Sequence, residues 1–358
     1  MNIIFRVDAS THIGTGHMAR CLTLAKALVQ APACGQPDKS VPVTCTFVCQ
    51  ALPGHWQSTI EQAGFDCHLL PAMAINNQLE DAALTCAAFG ESLPADLLII
   101  DHYALDETFS QAMRAQVSHI MVIDDLANRK HDCDLLLDQN LFADMATRYQ
   151  GLVGPATRQL LGPQYALLRD EFYQPALPRQ ANRVLVSFGG ADEHNLTNLT
   201  LDALLRLKES ALQVDIVVGQ SYPWTTALSE RVATLPWVTL HIHCNYMARL
   251  MQQASIMVGS GGTTHWERCI TGLPGIIITV ADNQQATTRH LNMLGACNWL
   301  GDHQQIKPSQ LQLAIEALQG DSLRHNNMSN TARRLVPKSA GTAWVVDEIL
   351  ALIRGHNE

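Results

Sequence analysis

The stretch Gly259-Ser-Gly-Gly-Thr-Thr-His-Trp-Glu267 follows the apolar run Ala254–Val258 and leads into a helical pattern, which is the layout of a phosphate cradle. Glycines such as Gly261 and Gly262 let backbone approach an anion with no Cβ in the way. The helix start supplies unpaired N–H groups and a partial positive charge, and Thr263 and Thr264 add hydroxyl donors. Glu267, about one turn further on, repels phosphate but accepts hydrogen bonds from sugar hydroxyls. Together these residues point to a nucleotide with a ribose, one end held by backbone and the other by Glu267. An ordinary Gly-rich strand-to-helix turn of an α/β protein is the alternative, and a second segment weighs against it.

Near the N-terminus, Ile3–Val7 predicts a strand, the loop through Gly14-Thr15-Gly16 follows, and Met18–Leu28 carries apolar residues at helical spacing with His17 at its start. Gly14-x-Gly16-x-x-Ala19 matches a dinucleotide fingerprint only loosely, and no acidic residue is clearly placed at a second strand end for a ribose. NAD binding is therefore not expected. An imidazole exchanges protons near neutral pH, and a helix start disfavours its charged form, so His17 suits a neutral general base. Capping its helix or touching phosphate would place a histidine there equally well. Tyr103, two residues past a strand end, is a further candidate, although an exposed loop tyrosine would look the same. Gly189-Gly190 closes the first strand of the second half and offers backbone to a pyrophosphate, or simply turns tightly. Asn283-Gln284 follows the strand ending at Val280, where amides can bond sugar or acetamido groups.

With 358 residues and 47% hydrophobic content, the chain can bury large cores and is expected to form two domains. A formal charge of −9 without a basic run argues against a nucleic-acid partner. No apolar stretch is long enough to span a membrane and the N-terminus lacks signal-peptide features, so a cytoplasmic location is expected. The ten cysteines form no CxxC pattern and read as small buried hydrophobes in a reducing compartment. His241-x-His243-Cys244 lacks an evident third ligand, and Asp132-Cys-Asp134 suits a loop entering the strand Leu135–Leu137. Neither predicts a metal site. No cofactor is expected.

These motifs need scaffolding, and the chain supplies it twice. Strand-like runs at Ile3–Val7, Thr44–Cys49, Leu97–Ile100 and Ile120–Ile123, with helical patterns between the first three, predict a parallel sheet. Asp101 and Asp124 each stand just past the last apolar residue of a strand, at the edge where open α/β sheets bind ligands. Ala31–Val41 reads as a surface excursion. The Pro-containing segment Tyr173–Gln180 predicts a linker, after which Arg183–Phe188, Gln213–Val218, Val238–Ile242, Ala254–Val258 and Gly275–Val280 predict a second parallel sheet, with a helix over Leu196–Leu207. The expected domains are residues 1–172 and 181–336, with 337–358 as a terminal helix that could cross back to the first. An α/β chain of two Rossmann-like domains facing across a cleft is GT-B-like architecture.

Taken as a set, the motifs resemble the UDP-sugar hydrolases of pseudaminic acid biosynthesis. The resemblance spans nearly the whole chain and rests on Phe5-Arg6-Val-Asp8 with Ile13-Gly-Thr-Gly-His17 and Arg20-Cys-Leu, Asp101-His-Tyr103, Ile123-Asp-Asp-Leu126, Asp138-Gln-Asn140 and Gly162–Arg169. It continues with Ser187-Phe-Gly-Gly190, Gly261–Glu267, Gly272-Leu-Pro274 and Asp282-Asn-Gln284. The Gly-rich pieces are shared with MurG-type glycosyltransferases. The resemblance implies metal-independent hydrolysis of UDP-2,4-diacetamido-2,4,6-trideoxy-β-L-altropyranose to UDP and free sugar, with inversion at the anomeric carbon and His17 as base. It implies a small-molecule UDP-sugar as the partner, with Asp8, Gly14, Gly16, Tyr103, Gly189, Gly190, Met247, Gly261 to Thr264, Glu267, Asn283 and Gln284 binding it. Uracil would lie near Tyr246 and Met247, and a monomer is expected. His265 departs from the small hydroxyl residue usual before the Trp-Glu pair. The alternatives are a GT-B glycosyltransferase using a UDP-amino sugar, or a noncatalytic UDP-sugar-binding protein.

Overall fold

A computed structural model describes residues 1–31, 42–72, 77–90, 93–207 and 211–355. The excursion expected at Ala31–Val41 lies, from residue 32 onward, outside the described residues. The chain divides into two compact units, one of Met1–Asn140, Asp144–Leu168 and Ala340–Glu358, the other of Leu141–Ala143 and Arg169–Ser339.

The sheet of the first unit contains β1 (Asn2–Val7), β2 (Thr44–Gln50), β3 (Asp66–Leu70), β4 (Ala95–Asp101), β5 (Val117–Ile123), β6 (Leu135–Asp138) and β7 (Arg158–Leu161). All pairings are parallel, in the order β3-β2-β1-β4-β5-β6-β7. Alternation along β1 divides the core: Ile3, Phe5 and Val7 join the helix Gly16–Gln30 and the terminal helix Thr342–Arg354, whereas Ile4 joins Leu98, Ile100 and Phe109 on the other face. Apolar residues on both faces are what a parallel sheet covered by crossover helices requires.

The second unit repeats the plan with β8 (Arg183–Ser187), β9 (Gln213–Val218), β10 (Val238–Ile242), β11 (Ile256–Ser260), β12 (Gly275–Thr279) and β13 (Asn298–Asp302), ordered β10-β9-β8-β11-β12-β13 and again parallel. Its core packs Val184, Val186 and Ile216 against the helices Leu196–Leu204 and Pro308–Gly320. In each unit the strand order reverses beside the first strand, between β1 and β4 and between β8 and β11. The crevice outside the carboxyl ends of such a pair is where open α/β sheets bind ligands.

Gly259 belongs to β11 and not to the loop that follows. A Cβ on it would lie 2.4 Å from the Ser187 carbonyl oxygen of neighbouring β8, so close strand packing demands this glycine. The turn into the next helix begins two residues later, at Gly261.

Candidate active site

At the carboxyl edge of the first sheet, the loop after β1 is drawn into a tight turn by Ser10. Its hydroxyl oxygen accepts the N–H groups of His12 and Ile13, and its carbonyl accepts that of Gly14, whose φ of 81° suits glycine. The turn delivers the chain into the helix Gly16–Gln30, whose first turn has no side-chain cap and no acidic residue. His17 is its second residue. Asp101 ends β4, the strand next to β1, and so meets His17 at the switch point.

His17 Nδ1 lies 2.6 Å from Asp101 Oδ1. Arg20, one turn along the same helix face, donates Nε to Asp101 Oδ2 and Nη2 to Oδ1, each at 2.6 Å. Burial works to raise the Asp101 carboxyl, but Arg20 and then His17 outweigh it and hold it far below the usual carboxylate range. An ionised carboxylate only accepts, so the short contact places a proton on Nδ1 and turns Nε2 away from Asp101. The adjacent Arg20 Nη2, 3.0 Å from Nδ1, is a second donor converging on the same oxygen. Tyr103 sets its ring edge-on to the imidazole, with centroids 4.6 Å apart and planes at 88°. The Tyr103 hydroxyl donates to Asp125 Oδ1 at 2.8 Å, and Asn140 Nδ2 donates to Asp125 Oδ2 at 3.1 Å.

Asp8, expected at the substrate, is buried beneath this layer with both oxygens engaged by protein. Arg6 Nη1 and the Gln50 N–H donate to Oδ1 at 2.7 Å each, and His102 Nε2 lies 3.1 Å from Oδ2. His102 Nδ1 accepts the Ala104 N–H at 3.0 Å, so Nε2 carries the proton and both ring nitrogens are occupied. Of the two histidines at this edge, His17 is thus the one with a ring nitrogen, Nε2, not engaged in a described hydrogen bond. Arg6, wholly buried in β1, also grips Asp81 and anchors Asp8 from below.

At the carboxyl edge of the second sheet, Gly261 and Gly262 lead from β11 into the helix Thr264–Ile270, and no side chain caps its start. Thr263 holds the cap position in helical conformation. A Cβ on Gly261 would meet Thr288 Oγ1 at 2.7 Å and Gln284 Cβ at 3.2 Å, so Gly261, Gln284 and Thr288 converge. Gln284 Oε1 accepts the Val280 N–H at 3.1 Å, and exposed Asn283 precedes it on the helix Asp282–Met293. Gly189 and Gly190 follow β8, the neighbour of β11; both are exposed, and the Gly190 carbonyl accepts the Gly219 N–H at 3.0 Å. Met247 opens the helix Met247–Gln253 after exposed Tyr246.

His265 turns inward. It is buried and its Nε2 lies 3.0 Å from Thr288 Oγ1, while burial and then Arg268 push its pKa well below the ordinary value. It therefore braces the turn from beneath as a neutral ring. Glu267 Oε1 accepts Arg169 Nη2 at 3.2 Å. Sequence reasoning left Arg169 without a role, as it did Arg20, Asp125 and Arg6. The i, i+3 spacing of His17 and Arg20 is the signal that was there to find.

Asp132 and Asp134 both accept from Arg114, and His241 lies between Asp215 at 2.8 Å and the Tyr246 hydroxyl at 3.0 Å. Among the described residues, no group of three or more His, Cys, Asp or Glu is arranged to hold a metal ion, and no helix is long and apolar enough to cross a membrane.

Residues 184–342, which include the whole second-unit cluster, match the Glycosyltransferase family 28 C-terminal domain. The chain resembles a UDP-sugar hydrolase. It is 26% identical over 297 residues to the UDP-2,4-diacetamido-2,4,6-trideoxy-beta-L-altropyranose hydrolase of Campylobacter jejuni, covering 82% of this chain and 97% of that one. It is also 24% identical over 220 residues to the spore coat polysaccharide biosynthesis protein SpsG of Bacillus subtilis, covering 59% of this chain and 63% of that one. Among solved structures, MurG of Acinetobacter baumannii superposes with a TM-score of 0.66 at 16% identity, over 98% of this chain and 99% of that one. The fold is accordingly GT-B, with two Rossmann-like parallel-sheet domains.

Proposed function

We propose that the protein hydrolyses UDP-2,4-diacetamido-2,4,6-trideoxy-β-L-altropyranose to UDP and the free sugar, without a metal ion and with inversion at the anomeric carbon. The observation that carries this reading is the Arg20–Asp101–His17 arrangement, which orients the imidazole through Nδ1 and turns Nε2 away from Asp101. Such a ring can take a proton from water as the water attacks the anomeric carbon, and Asp101 then balances the imidazolium that forms. The bond from that carbon to the UDP oxygen breaks, and both electrons leave with UDP. In this reading the second unit holds the leaving group. Gly189, Gly190 and the turn Gly261–Thr264 meet the diphosphate with N–H groups and hydroxyls, Glu267 takes the ribose, and the backbone near Tyr246 and Met247 takes the uracil. Asn283 and Gln284 bond the sugar's acetamido groups, while Gly14 and Gly16 allow close approach of the first-unit loop. The free thiols of the described cysteines suit a reducing, cytoplasmic setting.

The test is incubation of purified protein with the UDP-sugar alone, in the presence of EDTA and with no acceptor. UDP release with the α/β configuration of the first-formed sugar inverted, read by proton NMR, is the expected result. Release that requires an acceptor alcohol would instead make the protein a glycosyltransferase, and binding without turnover would make it a UDP-sugar-binding protein.

A further inference from the structure

Glu267 has a charged neighbour whose own position is fixed from two further sides. Arg169 Nη2 reaches Glu267 Oε1 at 3.2 Å while Arg169 Nη1 reaches Glu171 Oε1 at 2.9 Å. The Arg169 guanidinium carbon also stands 5.3 Å from the ring centroid of Phe172, which is fully buried and so a rigid platform. The Glu267 side chain is only 16% exposed, against 43% for Arg169. Arg169 therefore engages one oxygen, Oε1, of a largely buried carboxylate.

We infer that Arg169 is a positioning residue for ribose: its anchored guanidinium aims the Glu267 carboxylate at the ribose diol, so preference for UDP over 2′-deoxy-UDP depends on an arginine that touches no sugar. The inference rests on the reading of Glu267 as the ribose-binding group. Chemistry supports the dependence. An ionised carboxylate accepts from both hydroxyls of a diol, whereas its protonated form spends one oxygen as a donor. Burial raises the Glu267 carboxyl above its ordinary range; Arg169 opposes that rise and Glu171 adds to it. Cys244 shares this neighbourhood, its thiol pushed up by burial and hence neutral. Arg169 is thus the cation that counters the effect of burial on this carboxylate.

The measurement is isothermal titration of the full chain with UDP and with 2′-deoxy-UDP, at pH 7.5 and pH 6. Wild type is expected to favour UDP by about tenfold, the size of one hydrogen bond to a charged group. Glu267→Ala should abolish the preference. Arg169→Met should lose most of it at pH 7.5 and nearly all at pH 6, with Arg169→Lys restoring part; Arg169→Gln serves the same comparison if the Met variant does not fold. Wild-type preference retained in Arg169→Met at both pH values, while Glu267→Ala loses it, would overturn the inference and spare the ribose reading. Preference retained in Glu267→Ala, or absent from wild type, would remove the ribose reading itself.

Discussion

The two sheets share one strand order around their first strands, yet their switch points are furnished in opposite ways. Beside β1 and β4 the edge is crowded with buried charge: Arg6, Asp8, Arg20 and Asp101 pair with one another and brace two histidines. Beside β8 and β11 the edge is stripped of side chains, with Gly189, Gly190 and Gly262 exposed, buried Gly261 packed close to Thr288 and Gln284, and a helix start without a cap. In the proposed reading, one topology serves two chemical tasks. Holding a single side chain in one protonation state takes a packed ionic network, since a lone buried charge would be costly. Receiving an anion on peptide N–H groups takes the removal of every Cβ in the way. The comparison predicts that substitutions in the first edge affect rate and those in the second affect affinity.

The largest break in that comparison should come from His17→Asn. It removes the proposed proton acceptor, and turnover should fall by about 10²–10⁴-fold, the usual contribution of a general base. UDP affinity by titration should stay at the wild-type value. Undiminished turnover would remove His17 from the mechanism.

Asp101→Asn comes next. An amide can no longer demand the proton on Nδ1, so turnover should drop on the order of 10²-fold. Arg20 also loses its buried carboxylate partner, which should cost roughly 3–5 kcal/mol of stability. The pH dependence has a definite sign. Because the folded-state pKa of Asp101 lies below the unfolded value of about 3.9, its stabilisation is complete above that value and drains away as pH falls through the folded-state pKa. Urea midpoints at pH 5 and pH 3 should therefore converge for wild type and Asp101→Asn as the solution is acidified. A constant gap would mean the Arg20–Asp101 pair is not the stabilising element.

The strands that were legible in the sequence, such as Ile3–Val7 and Gly275–Thr279, are central and apolar on both faces, so composition announced them. The missed strands β3, β7 and β13 are all at or beside solvent. Asp66-Cys-His-Leu-Leu, Arg158-Gln-Leu-Leu and Asn298-Trp-Leu-Gly-Asp are half-buried and polar because an edge strand packs on fewer neighbours. The site divided in the same way. Glycines and hydroxyls of the second edge lie in one continuous segment, readable as a motif. The ionic clusters of the first edge, one joining residues 17, 20, 101 and 125 and one joining 6, 8, 81 and 102, form through strand adjacency, which a linear pattern does not express.

In the second edge, Gly261→Ala sharpens the contrast. Its Cβ would lie 2.7 Å from Thr288 Oγ1, the atom already bonded to His265, so the turn must shift away from the form proposed to receive the diphosphate. UDP affinity should weaken by about tenfold, an energy near 1.4 kcal/mol, with turnover at saturating substrate little changed. A rate defect without an affinity defect would contradict the division of labour between the two edges.

The smallest expected effect tests the first edge from its solvent side. Tyr103→Phe deletes the hydroxyl that donates to Asp125 but keeps the ring edge against His17. Asp125 retains Asn140 as a donor, and burial followed by Asp125 holds the Tyr103 phenol well above its ordinary pKa, so this hydroxyl is not a source of protons. Loss of the hydrogen bond alone should then lower turnover by only a few fold, since a single neutral-to-charged contact is worth about 1.5–3 kcal/mol and most of it supports the loop and not the reacting atoms. Tyr103→Ala, which removes the ring as well, should cost more, because the imidazole loses the wall that holds its plane. Equal rates for the Phe and Ala variants would show that the ring contact does not orient His17, and that the Asp101–Arg20 pair holds the imidazole by itself.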